Sequence, residues 1–145
     1  MHRYTNMEGI ELIKCFEGFR SEQYICAGGF PTIGYGHKIR PRENLQVISV
    51  NEAGNLLTQD IYQTEKTVSY YINIELNDNQ FASLVSFTFN VGAAALQRST
   101  LRQKINYGLY DECHHEFLKW VYARSRKLSG LFKRRLAESQ LFYKT

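Results

Sequence analysis

The stretch Cys15 to His37, CFEGFRSEQYICAGGFPTIGYGH, decides how this chain is read, because helical periodicity gives way inside it to alternation broken by glycine. Upstream, Met7, Ile10, Leu12, Ile13 and Phe16 keep one face of a helix, with Thr5 as its N-cap and Glu8 three residues on in the capping-box arrangement. Gly18 ends that helix. Glu17 therefore falls on the last turn, where the negative end of the helix dipole disfavours ionisation, a setting that suits a proton donor. Beyond it, short β-type runs over 23–26 and 31–35, punctuated by Gly28, Gly29, Gly34 and Gly36, predict a hairpin with a third strand over 45–48.

Downstream the pattern is helical. Ser49 and Glu52 form a second capping box, and Ala53, Leu56, Leu57, Ile61, Val68 and Ile72 carry a long stripe. Asn77 opens a third helix over 81–91 that is apolar nearly all round, which predicts burial at the centre of a helical lobe, and Gly92 closes it. A connector over 93–96 follows. Ser99 or Thr100 then caps a short helix ending at Gly108, another helix covers 111–122, and Ser129 caps a last one over 131–142. The fold class is α+β: one domain made of a small hairpin-containing lobe, about 18–50, and a larger helical lobe, about 1–17 and 75–145, joined by a long helix over about 50–72.

Composition bounds the function. The chain of 145 residues is 43% hydrophobic and 22% charged, ordinary for a soluble protein, and holds no run of the roughly eighteen apolar residues a membrane span needs. The N-terminus lacks the pattern of a secretion signal, so a cytoplasmic product is expected. Three cysteines without metal-ligand spacing favour neither a disulfide framework nor a zinc site, and His114 and His115 diverge on a helix; no metal or cofactor is expected. From Arg98 onward eleven Lys and Arg face four Asp and Glu, a net of +7, against −3 before it. A basic half suits an anionic partner.

The residues Glu17-Gly18, Thr32-Ile33-Gly34-Tyr35-Gly36-His37, Leu76 to Phe81, Phe89-Asn90-Val91-Gly92, Ser99-Thr100-Leu101, Trp120-Val121 and Arg134-Arg135 with Glu138 occur in an order that closely resembles the phage endolysins of glycoside hydrolase family 24, the lambdoid and T-even phage lysozymes. The resemblance covers nearly the whole chain. It implies a lysozyme-like fold and muramidase activity, hydrolysis of the β-1,4 bond between N-acetylmuramic acid and N-acetylglucosamine in bacterial peptidoglycan.

The family's catalytic pattern is Glu, eight residues, Asp or Cys, five residues, Thr, and Glu17, Cys26 and Thr32 fit both spacings. The resemblance makes Glu17 the general acid and puts Cys26 and Thr32 on the other face of the sugar. Cys26 then acts as nucleophile, holds the attacking water with Thr32, or marks a weakened enzyme. Glu22, the nearest other carboxylate, does not match and is expected at the surface. By the same resemblance Phe89, Asn90, Ser99 and Thr100 line the saccharide cleft, although Phe89 and Trp120 also suit a core; His37 pairs with Asp60 in a structural role; and Arg134 or Arg135 pairs with Glu17. The implied protein is a monomer with no nucleic-acid partner, reaching the wall through a holin and lacking a separate wall-binding domain. Two other readings stay open: a non-catalytic peptidoglycan binder, and membrane disruption by the basic segment from Arg124 to Arg135.

Overall fold

The computed structural model describes every residue except Arg124 and Ser125. The chain divides into two compact units, Ile13–Gln63 and Met1–Leu12 with Thr64–Thr145. The divisions fall within helices α1 (Met7–Glu17) and α2 (Val50–Tyr71), so the end of α1 and the first part of α2 belong with the strands.

In the first unit β1 (Arg20–Ile25), β2 (Pro31–Gly34) and β3 (His37–Lys38) form an antiparallel sheet in that order. Tyr24 stands opposite Thr32 and Ile33 opposite His37, with an irregularity in β1 between Arg20 and Tyr24. The expected third strand over 45–48 is replaced by β3; Val47 makes only an isolated bridge to Glu22. The turn after Gly34 brings residues 37–38 back onto β2, while 45–48 run beside β1 on the opposite side of the sheet, where Ile48 N–H donates to Ser21 O at 2.9 Å. Ile33, Ile48 and Ala53 form the buried core, with Tyr35, Ile39, Leu45 and Leu56 packed around them. The Ser49 capping box is made in both directions: Ser49 N–H donates to Glu52 and Glu52 N–H to Ser49 Oγ, each at 3.1 Å.

The second unit is built on α3 (Asp78–Val91), whose residues Phe81 to Thr88 are all buried and whose N-cap Asn77 and Gln80 satisfy each other's backbone N–H groups. Around it lie α4 (Ala93–Arg98), α5 (Thr100–Asn106), a 3-10 turn at Tyr110–Glu112, α6 (Cys113–Leu118), a short hairpin of β4 (Tyr122–Ala123) and β5 (Arg126–Lys127), and α7 (Ser129–Phe142). Phe87, Phe117 and Phe142 meet edge-to-face at 5.7 and 5.8 Å, and Trp120 stands half-buried, edge-on to Phe87 at 5.7 Å.

Local details correct the sequence reading. The cap of α1 is Asn6, whose side chain accepts from Gly9 N–H at 3.0 Å. Thr5 instead gives both its N–H and its hydroxyl to Glu65, each at 2.6 Å, which supplies that buried carboxylate with donors. Gly9 is required by close approach: a methyl group built there would lie 2.7 Å from Ala82 Cβ. The connector over 93–96 is helical, the helix over 111–122 is interrupted and ends at Leu118, and Ser129 lies inside α7, whose N-cap is Leu128. The β4–β5 hairpin, too short to leave an alternation signal, was not foreseen.

Candidate active site

Glu17 is the final residue of α1, where Gly18, at φ 70°, turns the chain into the sheet. Its carboxylate lies directly on Gly36. A methyl group built at Gly36 would sit 2.5 Å from Glu17 Oε1 and 3.2 Å from its Cδ, and Gly36 has φ +75°. Only glycine supplies both that backbone and that space. Gly36→Ala is therefore expected to displace the Glu17 side chain and to lower stability by about 1–2 kcal/mol through the left-handed backbone, a drop read in the melting temperature; an unchanged melting temperature would show that the site tolerates a Cβ there.

Cys26 follows β1 in a tight turn: its N–H donates to Phe30 O at 3.0 Å and its carbonyl accepts from Gly29 N–H at 2.8 Å. Thr32, buried on β2, donates its hydroxyl to the same Phe30 oxygen at 2.8 Å. The Cys26 thiol is held below its ordinary value of 9.0 by hydrogen bonding with the Thr32 side chain, then with the backbone of Phe30; partial burial opposes this, and the Gly28 backbone and the Lys38 charge add to it. Cys113 is the reverse case, a buried thiol pushed up to about 11 by desolvation. Of these two thiols, Cys26 is the one biased towards the reactive thiolate.

Sequence reasoning missed Tyr24. It stands across the ladder from Thr32 and two residues before Cys26, hence on their face of the hairpin, with the Arg20 guanidinium 4.4 Å above its ring. Burial pushes its hydroxyl above the usual value, Glu17 adds to this, Arg20 opposes it and Cys26 adds again. A neutral phenol thus lies in the field of both the acid and the cysteine. The alternation through Tyr24 and Cys26 was the available signal. Glu22 is exposed.

His37, buried on β3, has Nδ1 2.8 Å from Asp60 and Nε2 2.9 Å from Glu43. The Asp60 contact was expected; Glu43, six residues on in a loop, was not. Burial pulls the imidazole down, but hydrogen bonds and charges from Asp60 and Glu43 outweigh it and the net shift is upward from 6.5. Burial raises Asp60, whereas Glu43 ends below its usual value because bonds from Arg40 and His37 overcome its desolvation. A raised histidine stabilises the fold fully below its unfolded value and loses that contribution as pH rises through the folded one. The melting-temperature gap between wild type and His37→Gln is thus expected to be widest near pH 5–6 and to narrow as pH rises past about 6.5. A gap that widens above pH 7 would contradict the pairing.

In the helical unit Phe89 is half-buried and Asn90 and Thr100 are exposed. The Asn90 amide oxygen accepts from Arg135, which turns the amide nitrogen away from that guanidinium. Ser99 is buried, with its hydroxyl donating to Leu96 O and accepting from Arg102 N–H as the cap of α5, so its polar atoms serve the helix. Arg134 and Arg135 both bond Glu138.

The family model described as phage lysozyme matches residues 14–138. The chain belongs to the phage lysozyme family. The endolysin of Bacillus phage B103 is 40% identical to this chain over 136 residues, 92% of the chain and 52% of the relative, so the chain spans about half of that relative's length. The endolysin of Acyrthosiphon pisum secondary endosymbiont phage 1 is 39% identical, with 96% of this chain and 97% of the relative covered. Among solved structures, the muramidase domain of SpmX from Asticaccaulis excentricus superposes with a TM-score of 0.89 at 32% identity, covering 100% of both chains. The lysozyme-like α+β fold is thereby established. Among the described residues no helix is long and apolar enough to cross a membrane.

Proposed function

We propose that this member of the phage lysozyme family is an endolysin-type muramidase acting on bacterial peptidoglycan, with Glu17 as general acid and Cys26 and Thr32 as the pair that activates and aligns water. The observation that carries the reading is the arrangement within one unit: a carboxylate seated on Gly36, and a thiol of lowered pKa beside a buried threonine on the adjoining hairpin. Glu17 gives its proton to the departing glycosidic oxygen as the C–O bond breaks. The Cys26 thiolate stabilises the positive character that develops at the anomeric carbon and takes a proton from the attacking water, which forms the new C–O bond with inversion. Phe89, Asn90 and Thr100 are assigned to saccharide contact, and Ser99 to holding the start of α5. His37 and Asp60 hold the strand pair, and Arg134 and Arg135 support α7. Access to the wall through a holin, action as a monomer and the absence of a nucleic-acid partner remain part of the same proposal.

The test is the appearance of new reducing ends from purified wall. Cys26→Ser is expected to cut the rate about 100-fold or more, whereas Cys26→Asp, which restores an anion, keeps most of it. Equal activity in the serine variant would remove Cys26 from the chemistry. An inverted anomer is the expected first product; a retained anomer with a sugar adduct on Cys26 would instead make the sulfur a nucleophile. Membrane disruption draws no support from the described part of the basic segment, Arg126 to Arg135, where Arg134 and Arg135 are buried; Arg124 lies outside the described residues.

A further inference from the structure

The hairpin carries one feature that the chemistry above does not use. Phe30 leaves 52% of its surface in water beside Cys26. The two flank a single glycine: a methyl group built at Gly28 would lie 3.4 Å from Phe30 Cδ2 and 3.8 Å from Cys26 Sγ. Strand pairing sets Lys38 opposite Thr32, and its Nζ stands 4.7 Å from the centre of the Phe30 ring. The same ammonium is felt at the Cys26 sulfur. An aromatic face, a cation and a reactive thiol therefore share one patch of one hairpin.

Singly exposed aromatics are common, but this one is paired with a charge and adjoins the reacting group. A phenyl face suits the apolar face of a pyranose, and an ammonium suits a carboxylate. In peptidoglycan one sugar of the repeat offers both, since the muramyl residue carries a peptide with free carboxylates and the glucosamine residue carries none. We propose that Phe30 and Lys38 form a subsite for the peptide-bearing muramyl residue, the ring stacking on the sugar and the ammonium pairing with a stem-peptide carboxylate. The subsite fixes which sugar of the repeat lies next to Cys26, and so which bond is cut. This inference rests on the muramidase reading.

Wild type, Lys38→Gln and Phe30→Ala are compared on purified wall and on the same wall with its stem-peptide carboxyls amidated, with kcat and KM taken from reducing-end release and folding checked by melting temperature. Phe30→Ala keeps the backbone N–H that bonds the sulfur. Lys38→Gln is expected to raise KM about three- to fivefold on native wall and not on amidated wall, the scale of a partly exposed ion pair. Phe30→Ala is expected to raise KM several-fold on both. If Lys38→Gln lowers kcat equally on both walls with KM unchanged, the lysine only tunes the thiol and the subsite is overturned, as it is if Phe30→Ala leaves both KM values in place. Should wild type release no reducing ends from either wall, the muramidase reading fails by itself. The subsite is then judged by co-sedimentation: the same preference of wild type over Lys38→Gln for native wall supports it, and equal pelleting of the two proteins refutes it.

Discussion

Glu17→Gln is expected to stop wall hydrolysis while the protein stays folded and still pellets with wall. The glutamine has the same shape against Gly36 but no acidic proton, so the proton transfer to the leaving oxygen is lost. General acid catalysis contributes about 10²–10⁴-fold, which sets the expected fall in rate. Because Glu17 is half-exposed at a helix end, stability should change by less than about 1 kcal/mol. Turbidity of purified wall, reducing-end release and melting temperature measured on one preparation separate the possibilities. Full clearing of wall by the variant would remove Glu17 from the mechanism. Lysis of whole cells by the variant as fast as by wild type would point to membrane damage instead.

The largest loss of stability is expected from Glu138→Ala. Glu138 is fully buried and accepts from Ser86 Oγ at 2.6 Å, from Arg134 Nε at 3.2 Å and from Arg135 Nη1 at 2.5 Å. Its backbone oxygen accepts from Ser83 Oγ at 2.6 Å, so two serines of α3 and two arginines of α7 converge on one residue. Removing the carboxylate leaves two buried guanidinium groups short of their counter-charge, which costs about 3–5 kcal/mol and about 10 °C or more in melting temperature. Burial already pulls Arg135 below its usual value, the Glu138 charge and bond being the main opposing influence. Arg135 also donates to Trp120 O at 2.9 Å and to Asn90, so the variant should loosen Asn90 as well as the helix pair. Glu138→Gln, which keeps the shape and an acceptor, should fall between. A loss below 1 kcal/mol for the alanine variant would mean that the arginines find water or other acceptors.

Much of this was legible along the chain, and the reason is locality. The caps at Ser49 and Asn77, the end of α1 at Gly18 and the buried run from Phe81 to Thr88 depend on groups within a few residues of each other, so periodicity and side-chain type were enough. The proposal of Glu17, Cys26 and Thr32 as one site came from the resemblance to the phage lysozymes, whose catalytic pattern they match in spacing. Errors arose where a distant group competed for a local one. Thr5 looks like a cap until Glu65, sixty residues away, takes both its donors.

By itself the sequence determined the residue types, their order along the hairpin and helices, and the family to which they belong, because a Glu at a helix end, a Cys and a Thr at fixed spacing carry chemistry that needs no coordinates to state. Only the tertiary structure decided that Gly36 is the floor under Glu17, that Glu43 completes the clamp on His37, and that Phe30, Lys38 and Cys26 meet in one patch. Each of these is a contact created by chain reversal, set by strand register and turn geometry, and register is a property of two segments at once that neither segment's own pattern contains.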